Sequence, residues 1–156
     1  MKTTLLRRSV AVAFAVVTTT GVATMASATT IPKARHQYLA DVASYNKAVD
    51  TVDARMRTWT SSTLIMTAQR DVQPVISAGE VFQRRLIGQS WPKHVRPAIM
   101  RLYMAIGNED AMLSSIQAMS VFDGGAIVAA MNQAGMVTLS DANVVRHDLG
   151  LPLVTS

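Results

Sequence analysis

Residues 38–59 read YLADVASYNKAVDTVDARMRTW. Their apolar side chains include the series Tyr38, Val42, Tyr45, Val49, Val52, Met56 and Trp59, separated by steps of 4, 3, 4, 3, 4 and 3. A helix brings residues three and four apart onto one face. The spacing therefore predicts a long amphipathic helix with an unbroken heptad-type stripe. Asp41, Lys47, Asp50 and Arg57 fall off the stripe. Pro32 stands near the helix start, where its missing N–H does no harm.

The same period recurs three times. A second stripe runs Ile65, Ala68, Val72, Val75, Gly79, Phe82, Leu86, with TSST (60–63) before it as a stop and a source of caps. Pro74 falls inside it and implies a kink or two abutting helices. A third stripe, Val95, Ile99, Leu102, Ile106, Leu113, Ile116, Ser120, follows SWPKH (90–94), where Ser90 is placed to cap and Pro92 to sit in the first turn. Its missing step falls on GNED (107–110) and puts Glu109 at a seam position. Either the helix breaks there, with Asn108 as a new cap, or it continues with a polar patch. FDGG (122–125) makes the next turn, and the last stripe is Val128, Met131, Gly135, Thr138, Ala142, Val145, Leu149. LGLP (149–152) ends it: Gly150 suits a left-handed position, Leu151 folds back, and Pro152 cannot continue.

No window alternates with period two. Four helices of similar length joined by short turns predict an all-α fold, an antiparallel up-down-up-down four-helix bundle. In such a bundle the start of the first helix, the turn between the second and third, and the end of the fourth share one pole.

Residues 1–28 have a different character. Lys2, Arg7 and Arg8 precede a short apolar run, VAVAFAVV (10–17), and Ala26-Ser27-Ala28 fits a small-residue cleavage site. The run is far shorter than the roughly 20 residues that span a bilayer. This is the pattern of a signal peptide cut between Ala28 and Thr29. Residues 29–156 then form a single domain, secreted or associated with the cell envelope, and its net charge falls from +5 to +2. The high isoelectric point is thus partly a property of the leader and gives no reason to expect nucleic-acid binding. No further membrane-spanning stretch follows. The absence of cysteine excludes disulfides, a thiol nucleophile, cysteine metal sites and a lipidated cysteine.

Trp91-Pro92, the VRP at 95–97 and the closing VVRHDLGLP (144–152) give the chain a likeness over its whole mature length. It resembles the small exported all-helical proteins of unknown function of actinobacteria, many of them lipoproteins. The resemblance implies an exported helical domain and assigns no activity and no site residues. The missing lipid-bearing cysteine implies release or non-covalent attachment.

Candidate chemistry is sparse. His36, His94 and His147 belong to the shared pole, where three imidazoles could hold zinc or haem. None lies on its stripe, so surface histidines are the better reading. Methionines 56, 66, 100, 104, 112, 119, 131 and 136 could bind copper(I), but they read as adaptable core filler. The stripes hold no Lys or Arg, and Glu109 is their lone acid, so no catalytic constellation is expected and no cofactor is assigned. The remaining signal is charge. The pole with Lys33, Arg35, Arg84, Arg85, Lys93, Arg96, Arg101 and Arg146 is net positive against Asp41, Glu80, Asp141 and Asp148. Arg84, Arg85, Trp91, Lys93 and Arg96 are the candidate contacts to anionic lipid or a cell-wall polymer.

These features suggest a non-enzymatic binding or interaction module of the cell envelope or extracellular space. Two alternatives stand beside it: a carrier of a small apolar ligand or haem between the helices, and an exported helical enzyme. Gly79 and Gly135 bear on the carrier, since glycines on a seam either tighten the packing or leave a pocket. The leader makes the first prediction. Intact-mass measurement of protein recovered from its own host's culture medium should show a chain beginning at Thr29, within a few residues; an intact Met1 terminus in the membrane fraction would refute it.

Overall fold

The computed structural model describes residues 30–60 and 62–155. The leader and its expected cleavage at Ala28–Thr29 lie outside the described residues. Within them there are four helices and no strand: α1 Thr30–Met56, α2 Ile65–Gly88, α3 Arg96–Gln117 and α4 Gly124–Asp148. None of these helices is long and apolar enough to cross a membrane.

The stripes become the core. Tyr38, Val42, Tyr45, Val52 and Met56 of α1 are buried, as are Val72, Val75, Phe82 and Leu86 of α2. On α3 the buried series is Ile99, Leu102, Ile106, Leu113 and Ile116, and Val145 and Leu149 close the C-terminal end. The rings of Tyr38 and Tyr45 pack on Phe82 with centroids 6.4 and 5.6 Å away. At the opposite end Trp59 meets Phe122 edge-on at 5.5 Å.

Polar contacts fix the direction of each neighbour. Arg85 reaches Asp41 at 3.4 Å and Arg55 reaches Asp71 at 3.3 Å, so α1 and α2 run antiparallel. Gln83 Nε2 donates to the Tyr103 carbonyl at 2.9 Å and Gln69 Nε2 to that of Gln117 at 3.0 Å, which sets α3 antiparallel to α2. Arg101 lies 3.8 Å from Asp141, and Glu109 accepts from Thr138 Oγ1 at 2.6 Å, which does the same for α3 and α4.

Several local expectations shift. Pro74 neither splits α2 nor ends it; it stands on the exposed face, where a lost backbone donor is easily tolerated. GNED does not break α3, so the continuous reading holds. Ser90 is not its cap. Pro92 instead closes a turn by accepting from Val95 N at 2.9 Å, the helix begins at Arg96, and Pro97 takes the first-turn place. TSST does not cap α2, whose N-cap is Leu64; Thr60 N donates to Thr63 Oγ1 at 2.8 Å, so the turn closes on itself. Asp123, within the FDGG turn, caps α4 by accepting from Ala126 N at 3.0 Å.

The C-terminal stop forms as its sequence implies. Gly150 has φ 64°, its N–H bonds the His147 carbonyl at 2.8 Å, and Leu151 N bonds that of Arg146 at 2.7 Å. These two bonds make a Schellman motif. Arg35 of α1 lies against Gly150, where any Cβ would collide with it, and its Nε donates to the Leu149 carbonyl. The start of α1 and the end of α4 therefore meet.

Phe82 is 1% exposed and touches both tyrosine rings, so Phe82→Ala should cost about 3–5 kcal/mol in chemical denaturation. Exposed Asp50→Ala is the control, expected within about 0.5 kcal/mol of wild type. Equal stabilities for the two variants would show that the α2 packing is misassigned.

Candidate functional site

The helices pack closely in sequence order, α1 on α2, α2 on α3 and α3 on α4, whereas α1 and α4 do not close the fourth seam. The seam positions facing this gap are only half-buried: Asn46 and Val49 on α1, and Gly135, Leu139 and Ala142 on α4. Between them lies a cavity of about 70 Å³. Its walls are Tyr38, Val42, Tyr45 and Val49 on one side and Gly135, Leu139 and Ala142 on the other, with Phe82 and Leu102 behind. From Tyr38 to Val49 the slot follows eleven residue steps of helix, about 16 Å. It is slender, mostly apolar and partly open.

The physical origin of the gap lies in residue size. Gly135 and Ala142 occupy stripe positions of α4 on either side of Thr138 and carry almost no side chain. Opposite them, Val42 and Val49 are too short to reach across. Gly135 thus widens the slot. Gly79 acts differently, since its missing side chain makes room for the Asp110 carboxyl of α3.

Each end of the slot has a polar feature. At the inner end is Glu109, 4% exposed, holding the Thr138 hydroxyl. At the end near the termini is Arg146, 8% exposed, together with Tyr38 and Val154. Arg146 Nε donates to the Pro152 carbonyl at 2.6 Å. Among the described residues no carboxylate pairs with it. Burial holds the Tyr38 hydroxyl well above its ordinary range, and the neighbouring Arg146 only partly opposes this. Tyr38 is therefore a neutral phenol in this environment. The tail after α4 folds back as part of the wall: Asn143 accepts from Val154 N at 2.9 Å and donates to its carbonyl at 2.8 Å.

Arg146 lies off the stripe of α4 and yet lines the slot. Its Cα stands one residue past seam position Val145, and a long guanidinium side chain reaches inward from such a flank. The sequence signal was that flank position. The stripe hid it because a stripe records Cα phase and not side-chain reach.

Part of the expected basic pole is already engaged. Arg84 lies 3.9 Å from Glu80, Arg85 pairs with Asp41, and Arg96 Nε donates to the Trp91 carbonyl at 3.0 Å. Lys93 is exposed. Trp91 departs from expectation: it is 5% exposed, and its Nε1 donates to the Leu86 carbonyl at 2.7 Å. The indole plugs the end of the core and offers no ring to an anionic surface. His36, His94 and His147 are exposed, and no cluster able to hold a metal occurs among the described residues. The methionines split against expectation. Met56 and Met131 are buried, but Met66, Met100, Met104, Met119 and Met136 face solvent.

No family model matches the chain, and no match is found among curated proteins or among solved structures.

Beside Glu109, Asp110 is buried against Gly79, and neither of its carboxylate oxygens has a hydrogen-bond partner among the described residues. Burial, then the nearby Glu109 and Glu80, push its pKa up to about 7. Folded Asp110 therefore keeps its proton in a range where the unfolded chain has lost it. Stability from this group is greatest at low pH and falls as pH rises from near the ordinary carboxylate value, 3.8, towards 7. Thermal melts should accordingly show a lower Tm at about pH 8 than at about pH 5, and Asp110→Asn should flatten that difference. The same fall in both proteins would remove Asp110 as its source.

Proposed function

We propose that the chain is an exported up-down-up-down four-helix bundle that carries a slender apolar ligand in the slot between α1 and α4. It is a non-enzymatic binding module of the cell envelope or extracellular space. The observation that carries this reading is the open fourth seam. The other three seams are packed, so the gap is local, and its lining is apolar except at the two ends. Apolar interhelical cavities of bundles are common ligand sites. An unbranched chain of about ten carbons suits a slot of roughly 16 Å.

The slot ranks ahead of the basic pole as the working surface. Trp91 is withdrawn into the core, and two of the pole's five candidate contacts, Arg84 and Arg85, already face carboxylates. Exposed ion pairs of this kind are weak and screened by salt. The pole retains a role in placing the protein near anionic surfaces.

Decanol is the simplest probe. A ligand bound only by the folded state raises Tm, so decanol should raise it in a concentration-dependent way. Ala142→Phe, which fills the slot, should abolish the rise while circular dichroism shows an unchanged helical content. No rise with the wild-type chain, or an equal rise with Ala142→Phe, would sink the reading.

A further inference from the structure

We infer that the ligand of the slot is a single-chain amphiphile with a carboxylate head, its head held by Arg146 and its tail directed toward Gly135 and Val49. The inference rests on the slot being a binding site and adds the class and orientation of the ligand.

The charge at the mouth of the slot selects the head group. Arginine stays protonated at every physiological pH. A guanidinium with no carboxylate partner at the edge of an apolar slot offers an arriving anion a charge-assisted contact that nothing else competes for. Arg146 is 8% exposed, and its one described hydrogen bond is from Nε to the neutral carbonyl of Pro152. That bond uses one of five donors. It leaves the two terminal nitrogens without a described partner, on a side chain that lines the slot. These present the edge that receives a carboxylate in a two-point, charge-assisted contact. Neutral Tyr38 lines the same end and has a hydroxyl to donate.

The opposite end sets the direction. Glu109 and Thr138 line the slot at its inner end and are bonded to each other. A reversed ligand would bring its carboxylate against the Glu109 carboxyl, two like groups in a buried site. Between the ends the walls are Val42, Tyr45, Leu139 and Ala142, which offer dispersion and apolar contact to a hydrocarbon tail.

The rival is a cationic amphiphile drawn to Glu109. Two observations disfavour it. Glu109 already has a donor in Thr138, and a cation in the slot shares it with the charge of Arg146, which no carboxylate among the described residues neutralises.

The experiment compares three ligands of equal chain length by isothermal titration calorimetry: decanoate, decanol and decylamine. Wild type should bind decanoate about ten-fold or more tightly than decanol, since hydrogen bonds to charged groups are worth about 1.5–3 kcal/mol. Decylamine should bind most weakly. Arg146→Gln should bring decanoate down to the level of decanol and leave decanol unchanged. Asn143→Ala loosens the tail at Val154 without altering charge, and it should keep the preference. Equal affinities of wild type for decanoate and decanol would overturn the carboxylate inference and leave the apolar slot standing. Binding of none of the three would remove the slot itself, and a preference for decylamine would transfer recognition to Glu109. The comparison within the wild-type chain needs no variant to fold.

Discussion

The hydrogen bond from Thr138 to Glu109 sets how the fourth helix can sit. Glu109 occupies a seam position in the middle of α3, where every neighbouring stripe residue is apolar and fully buried. A carboxyl in such a place needs a donor, or the fold loses several kcal/mol to desolvation. Thr138 supplies it from α4 at 2.6 Å, and it is itself a stripe residue of its helix. The bond draws α4 onto α3. With α4 held there, the residues it turns toward α1 include Gly135 and Ala142, which have too little bulk to bridge the gap. An apolar residue at 109 would let α4 settle by packing alone. The acid adds a directional contact to that packing, and the small residues of α4 leave the slot beside it.

The second anchor of α4 lies at its C-terminus. The Schellman motif turns the chain at Gly150, Arg35 of α1 covers that turn, and Asn143 and Arg146 hold the returning tail. These contacts join α1 to α4 where their termini meet. The middle of the seam is not closely packed. Four helices tied at one end and on the third helix, but open along one side, make a frame in which a gap persists without collapse. Packed interiors deform little, so the three closed seams give the fourth a fixed width.

The four helices were legible in the heptad steps, because a core made mainly of Val, Ile, Leu and Tyr obeys side-chain phase closely. Tyr38, Val52, Val72, Phe82 and Leu102 all lie where their stripes put them. Phase fails for side chains whose burial depends on a partner. Asp41 and Asp71 sit off-stripe, yet both are buried, because Arg85 and Gln89 cover the first and Trp59, Arg55 and Arg70 the second. Arg146 is hidden from a stripe reading for the same reason. Trp91 departs in the other direction. A residue in a basic turn suggests a surface, but the indole caps the core between α2 and α3. The open seam was not legible at all. Glycine and alanine on a stripe signal close packing as often as a gap, and only the position of α4 decides which.

Two adjacent acids then divide the interior between stability and use. Asp110 packs against Gly79 with no described partner, and Glu109 faces the slot; each removes apolar contact from the middle of a domain that has no disulfide to compensate. A tail lying in the slot would restore the missing contact on the Glu109 side and would stabilise the folded state as its occupancy rises. The same event reaches the C-terminus, because Arg146 holds Pro152 by one edge of its guanidinium and, under the proposed reading, the ligand head by the other. Ordering the head orders the guanidinium. An ordered guanidinium strengthens its hold on a tail otherwise fixed in the slot wall by the two hydrogen bonds between Asn143 and Val154. Under that reading, ligand uptake and the ordering of the tail at Val154 are one process.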